Sequence, residues 1–178
     1  MFTIIMDMKK LYVVADDFGL SPGINRAIIK CAENNILSGV SVLATGPAVE
    51  ELKTFIQKFP EVEIGIHFDL ISRQLLTGIE INLSPAKLAL KVIFDPNILK
   101  DIDAELRCQT ERLLDICKLS HIDSHRHTHY IPQIFKLVNI ISEDYSINRI
   151  RIPVPKITLK NSGDIFYRKD FWKFLPFY

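Results

Sequence analysis

Cysteine is scarce in this chain, and the three present, Cys31, Cys108 and Cys117, form an odd set with no Cys-x-x-Cys pair. That set fits buried thiols in a reducing compartment rather than a disulfide framework. No charge of one sign dominates: 22 basic residues stand against 21 acidic ones, and no Lys/Arg run is longer than Lys9-Lys10. A nucleic-acid partner and a polyanionic substrate are therefore not expected. No apolar run approaches the ~20 residues needed to cross a bilayer, so a membrane span is not expected either. The apolar stretch within Met1 to Lys10 is only a few residues long, Asp7 interrupts it, and the lysines follow it rather than precede it. It does not read as a signal peptide, and a cytoplasmic protein is predicted. What remains is ordinary: 178 residues, 48% of them hydrophobic, enough to close the core of a single domain spanning residues 1–178.

Histidine is also scarce, with five in all, but its placement is uneven. His67 stands in Gly65-Ile66-His67-Phe68, and the other four crowd into His121-Ile122-Asp123-Ser124-His125-Arg126-His127-Thr128-His129. Alternating histidines project to one face of an extended segment, and His125 and His129 also share a face on a helix, so either backbone lets two imidazoles converge. The pair Asp16-Asp17 follows an apolar run near the N-terminus. Imidazoles plus a carboxylate are the common donor set for a divalent first-row metal. The competing reading of the cluster is a surface histidine patch or a set of satisfied core histidines.

Hydrophobic patterning places these residues. Lys10 to Ala15 reads as a strand buried on both faces that ends at Asp16-Asp17. Ser21-Pro22 reads as an N-cap with proline at the first helical position, and Ile24, Ala27, Ile28, Cys31 and Ala32 follow at helical spacing. Val40 to Ala44 predicts a second strand, Ala48 to Phe59 a second helix, and Val62 to His67 a third strand. Leu99 to Leu119 is the longest helical pattern, Pro132 to Tyr145 is another helix, and Arg149 to Ile152 is another strand. Alternating strands and helices call for a parallel sheet, whose sites form at the carboxyl ends of the strands. Asp16 and Asp17 follow the first strand, His67 the third and His125 the fourth, so three distant segments are expected to meet on one rim.

At these residues the chain resembles the YdjC-like family of carbohydrate deacetylases, of the chitooligosaccharide deacetylase type. The resemblance is carried by Val14-Ala15-Asp16-Asp17-Phe18-Gly19-Leu20-Ser21, by Gly65-Ile66-His67-Phe68-Asp69-Leu70, and by His121 to His129 followed by Pro132-Gln133-Ile134-Phe135. It implies a deformed (β/α) barrel related to that of polysaccharide deacetylases. It also implies hydrolysis of N-acetyl groups on acetylated amino sugars or chitin-derived oligosaccharides, and a divalent metal, usually Mg2+, on Asp17, His67 and His125. Ligand softness suits Zn2+ or Co2+ equally well. By analogy with polysaccharide deacetylases, Asp16 is the expected general base, set against a loop-fixing or capping carboxylate ahead of the Ser21 helix.

His127, His129 and Asp123 are expected around the ligands or against substrate, with orientation of a ligand imidazole the main role. His121 is open between strand-end packing and the site. Asp69 reads as a sugar or loop contact, and Arg151 as a sugar contact or an ion-paired arginine. A phosphoesterase or amidohydrolase barrel is a weaker alternative, since such barrels place His-x-His just after the first strand, where this chain has Asp16-Asp17.

The chain departs from the family at its end. A closed barrel with its helices needs roughly 250 residues, only five strands are visible, and no histidine follows His129. The family's later His-Pro-Gly segment is missing. Seven aromatics, Phe166, Tyr167, Phe171, Trp172, Phe174, Phe177 and Tyr178, fill the last thirteen residues. The expectation is a C-terminally truncated barrel, or a tail that covers the sheet edge the later strands would cover. Self-association as a homodimer and a catalytically inactive metal- or sugar-binding remnant are both expectations of that reading.

Overall fold

A computed structural model describes residues 12–152 apart from 73, 82 and 96, together with the backbone of residues 165–168. Five strands lie side by side in chain order and parallel: β1 (Val14–Phe18), β2 (Gly39–Val42), β3 (Glu63–Phe68), β4 (Ile122–Ser124) and β5 (Arg149–Ile152). A sixth, β6 (Ile165–Arg168), pairs antiparallel with β5, with Ile152 opposite Ile165. The start of the aromatic segment thus lies on the edge of β5, while residues 169–178 lie outside the described residues.

Each crossover is helical. α1 (Pro22–Glu33) starts where the sequence places it, because the Ser21 hydroxyl accepts from the Ile24 amide at 3.3 Å and proline occupies the first turn. The second helix opens as a 3-10 turn, Val49–Glu51, before becoming α2 (Leu52–Lys58). α3 (Pro85–Phe94), capped by Ser84, is a helix the periodicity did not single out. α4 (Ile98–Leu114) stops five residues before the expected Leu119, and α5 (Pro132–Asp144) follows β4 after a 3-10 segment, His125–Tyr130.

The core lies between sheet and helices, with Val40, Val42, Ile64, Ile66, Phe68 and Ile122 packed in one cluster with Leu52, Phe55, Ile102, Leu106, Ile134 and Val138. The strands read as near-continuous apolar runs because both of their faces are covered. Among the polar residues in or next to the strands, Ser41, His67, His121, Asp123 and Ser124 are buried, while Asp16, Asp17, Arg149 and Arg151 are partly exposed. Among the described residues no helix is long and apolar enough to cross a membrane.

Candidate metal centre

Parallel pairing brings His67 and Asp123 together, because they are register partners on adjacent strands and neighbouring positions of a sheet share a face. His67 Nδ1 lies 2.6 Å from Asp123 Oδ1, so the imidazole donates there and presents Nε2 to the rim. On β1 the ladder slips between Ala15 and Phe18, and Asp17 takes a left-handed φ of 67°. A regular strand would send Asp16 and Asp17 to opposite faces. The bulge aims both into one site, as bulges beside active sites commonly do.

Asp17 Oδ1 lies 3.2 Å from His67 Nε2 and 2.8 Å from His125 Nδ1. The three donor atoms therefore lie within 4.8 Å of one another. His125 reaches this position from a turn in which Arg126 and His127 both have left-handed φ values, 51° and 56°. The two imidazoles beside Asp17 hold its carboxyl well below the usual carboxylate range. Burial disfavours a charged His67, but Asp123, Asp17 and Asp16 outweigh it and lift its pKa to about 10. One carboxylate oxygen wedged between two imidazole nitrogens is the donor set a divalent cation takes, and the residues fit such an ion.

A second trio, Asp16, His67 and Asp123, is equally compact. Arg151 already serves it: its Nη1 donates to Asp16 Oδ2 at 2.7 Å and to Asp123 Oδ2 at 3.0 Å. A guanidinium bridging two carboxylates repels a cation there, so the Asp17 side is the better metal position. The other oxygen of Asp16, Oδ1, is buried with no hydrogen-bond partner among the described residues. Burial and then the Asp123 charge raise the Asp16 pKa in spite of His67 and Arg151 nearby. Asp16 is no helix cap, since Ser21 fills that role.

Around this centre the remaining candidates separate. Asp123 is fully buried and also accepts from the Ser41 hydroxyl at 2.8 Å; burial alone would raise its pKa, but His67 holds it at about 2. His129 is buried, bonds Ser124 Oγ through Nδ1 and donates Nε2 to the Arg151 carbonyl at 2.8 Å. It braces the strand that carries Arg151. His127 is exposed and stacks on Tyr130 with ring centroids 5.1 Å apart, away from the two candidate trios. Asp69 accepts from the Ile71 and Ser72 amides and from the Thr45 hydroxyl, which makes it a loop contact. His121 belongs to the interior: Ser41, Gly65 and His121 lie in a row across β2, β3 and the approach to β4, and a Cβ at Gly65 would overlap the His121 ring. Its Nε2 lies 3.0 Å from Ser41 Oγ. Ser41, Gln109 and Glu105 escaped sequence reasoning, and the signal available for the first was a glycine inside a strand.

Residues 10–178 match the sequence profile of a family described as YdjC-like protein. A chitooligosaccharide deacetylase of Citrobacter koseri is 32% identical over 166 residues, covering 89% of this chain and 64% of that protein. One of Salmonella heidelberg is 30% identical, with 88% and 64% covered. The chain thus spans slightly under two thirds of the length of these relatives. Among solved structures, a protein of Enterococcus faecalis V583 named for cellobiose-phosphate cleavage superposes with a TM-score of 0.62 at 21% identity, covering 80% of this chain and 58% of that one. That likeness is one of fold.

Proposed function

The chain belongs to the YdjC-like family, and from that membership we propose that it is a metal-dependent carbohydrate N-deacetylase acting on acetylated amino sugars such as chitin-derived oligosaccharides. The observation that carries the reading is the pairing of an Asp17-His67-His125 donor set with an adjacent carboxylate, Asp16, that has one oxygen anchored and the other without a partner. The sequential parallel order of β1 to β5 supports a deformed (β/α) barrel. Three free cysteines suit a cytoplasmic setting.

Asp17, His67 and His125 would hold the ion, Mg2+ by family and Zn2+ or Co2+ by ligand type. When bound, such an ion acidifies water and polarises an acetyl carbonyl. The chain's own residues do the rest. Asp16 takes the proton of the attacking water as it adds to the carbonyl carbon, and its raised pKa makes it the stronger base for that task. Arg151 anchors Oδ2 and so sets the orientation of the carboxylate. The proton then passes to the sugar nitrogen as the C–N bond breaks, giving acetate and a free amine. Asp123 keeps His67 oriented throughout, by accepting the hydrogen bond from its Nδ1–H.

Acetate release from N,N'-diacetylchitobiose by protein loaded with each ion tests the reading. Turnover should stop on chelation, and Asp16→Asn should retain the metal while losing about 10²-fold or more in rate. Metal-loaded protein that releases no acetate would overturn the deacetylase reading in favour of an inactive metal- or sugar-binding protein.

A further inference from the structure

α4 carries two polar side chains on its buried face, Glu105 and Gln109, both with no exposed surface. The Glu105 carboxylate accepts from the Leu76 amide at 3.0 Å, the Thr77 amide at 2.8 Å, the Thr77 hydroxyl at 2.7 Å and Gln109 Nε2 at 2.6 Å. Gln109 grips the backbone of Asp69 from both sides, donating to its carbonyl at 2.6 Å and accepting from its amide at 2.9 Å. The Asp69 carboxylate in turn holds the Ile71 amide at 3.0 Å, the Ser72 amide at 3.1 Å and the Thr45 hydroxyl at 2.8 Å. The loop leaving β3 is thus tied to α4 at Asp69, two residues beyond His67, and again at Leu76 and Thr77.

Stability does not demand this arrangement. Replacing buried charged groups by well-packed apolar ones is often neutral or stabilising. What a carboxylate with four donors supplies is a fixed register for the segment it holds. That segment forms a wall. Ile71 and Ser72 line a cavity of about 280 Å³ with Leu83, Ser84, Arg126 and the candidate ligand His125. Two hydroxyls and a guanidinium around an opening beside the donor set match the hydroxyl-rich surface of a sugar ring, and a small apolar contribution comes from Ile71 and Leu83.

We propose that Glu105 and Gln109 are positioning residues that hold the Ile71-Ser72 wall so that this cavity takes a pyranose ring of the substrate. The assignment rests on the deacetylase reading. It concerns where the sugar is gripped, not how the acetyl group is cleaved.

The test is steady-state kinetics on N,N'-diacetylchitobiose with metal-loaded protein. In Glu105→Gln one carboxylate oxygen becomes an NH2 that faces either the Leu76 and Gln109 donors or the Thr77 donors, so KM should rise by about ten-fold or more while kcat stays within about two-fold and metal content is unchanged. Ser72→Ala, which leaves the helix intact, should raise KM by about three-fold with kcat retained. Should Glu105→Gln fail to fold, Ser72→Ala and Thr77→Val decide the matter by the same KM-against-kcat split. Unchanged KM in the folded variants, or loss confined to kcat, would overturn the assignment while leaving an active wild type as a deacetylase. An inactive wild type would overturn the deacetylase reading, and this assignment with it.

Discussion

Two imidazoles sit almost wholly buried in the middle of this sheet, one near the rim and one deeper, and their surroundings drive them in opposite directions. His67 lies among Asp17, Asp123 and Asp16 and is lifted to about 10. His121 lies over Gly65 between Ser41 and Ser120 and is pushed down by burial to about 4. Burial acts the same way on both. Carboxylates at hydrogen-bond distance separate them: His67 has two, Asp17 and Asp123, whereas His121 shares the Ser41 hydroxyl with Asp123. A cation suits the first environment, because it replaces positive charge already favoured there, and gains nothing in the second.

The largest effect should come from breaking the contrast at the rim. His67→Ala, Asp17→Ala and His125→Ala should each abolish stoichiometric binding of a divalent ion, since two remaining ligands hold it far more weakly than three. His121→Ala should keep it. Elemental analysis after dialysis reads the difference, and metal retained by all three rim variants would sink the site. Asp123→Asn sharpens the same contrast one step further out: His67 keeps a hydrogen-bond acceptor but loses the charge behind it. A drop of about 10–100-fold in metal affinity is expected, measured by competition with a chromophoric chelator.

Much of the rim was legible from residue types and order. Asp16-Asp17 and His67 lie near the carboxyl ends of β1 and β3 and His125 just after β4, and a parallel sheet gathers such positions at one end. For Asp69 and Arg151 the sequence left two roles open each, because a hydrogen-bond partner is a property of packing: Asp69 holds its loop, and Arg151 bridges Asp16 to Asp123, 135 and 28 residues away in sequence. The bulge that turns both aspartates into the site has no sequence mark, since Asp17 is not a glycine and yet adopts a left-handed φ. Glu105 and Gln109 carry no sequence signal of their own, because charge and amide chemistry argue for exposure on a helix until a loop is found that needs them. α3 was missed because its apolar residues Leu90, Ile93 and Phe94 are largely exposed, which blurs the periodicity.

Acid separates the two kinds of histidine by sign. His121 and His129 are both held near 4 by burial, below the 6.5 of a free imidazole, so the unfolded chain binds more protons than the folded one between those values. Stability of the metal-free protein should therefore fall as pH drops from about 6.5 to 4, each group contributing up to about 1.4 kcal/mol per pH unit. His67 works the other way: its folded pKa is raised, so its contribution is complete below about 6.5 and is lost as pH climbs through about 10. Denaturant midpoints measured across pH 4 to 7 should show a shallower slope for His121→Gln than for wild type. An unchanged slope would mean that His121 is not kept neutral by burial.

The smallest effect belongs to the hydroxyl that joins the two environments. Ser41 Oγ donates to Asp123 Oδ2 at 2.8 Å and therefore accepts from His121 Nε2 at 3.0 Å, which fixes the His121 proton on that nitrogen and leaves Nδ1, 2.8 Å from the Ser120 hydroxyl, unprotonated. Gly65 makes this reach possible, because any side chain on the intervening strand would stand where the ring lies. Ser41→Ala removes the acceptor that the Ser41 hydroxyl offers the buried His121 imidazole and should cost roughly 1–3 kcal/mol in stability. Asp123 keeps Arg151 and His67 as donors, so metal affinity should fall by less than in Asp123→Asn. Equal loss of affinity in the two variants would show that the deep histidine and the rim act as one unit, and the contrast between them would have to be abandoned.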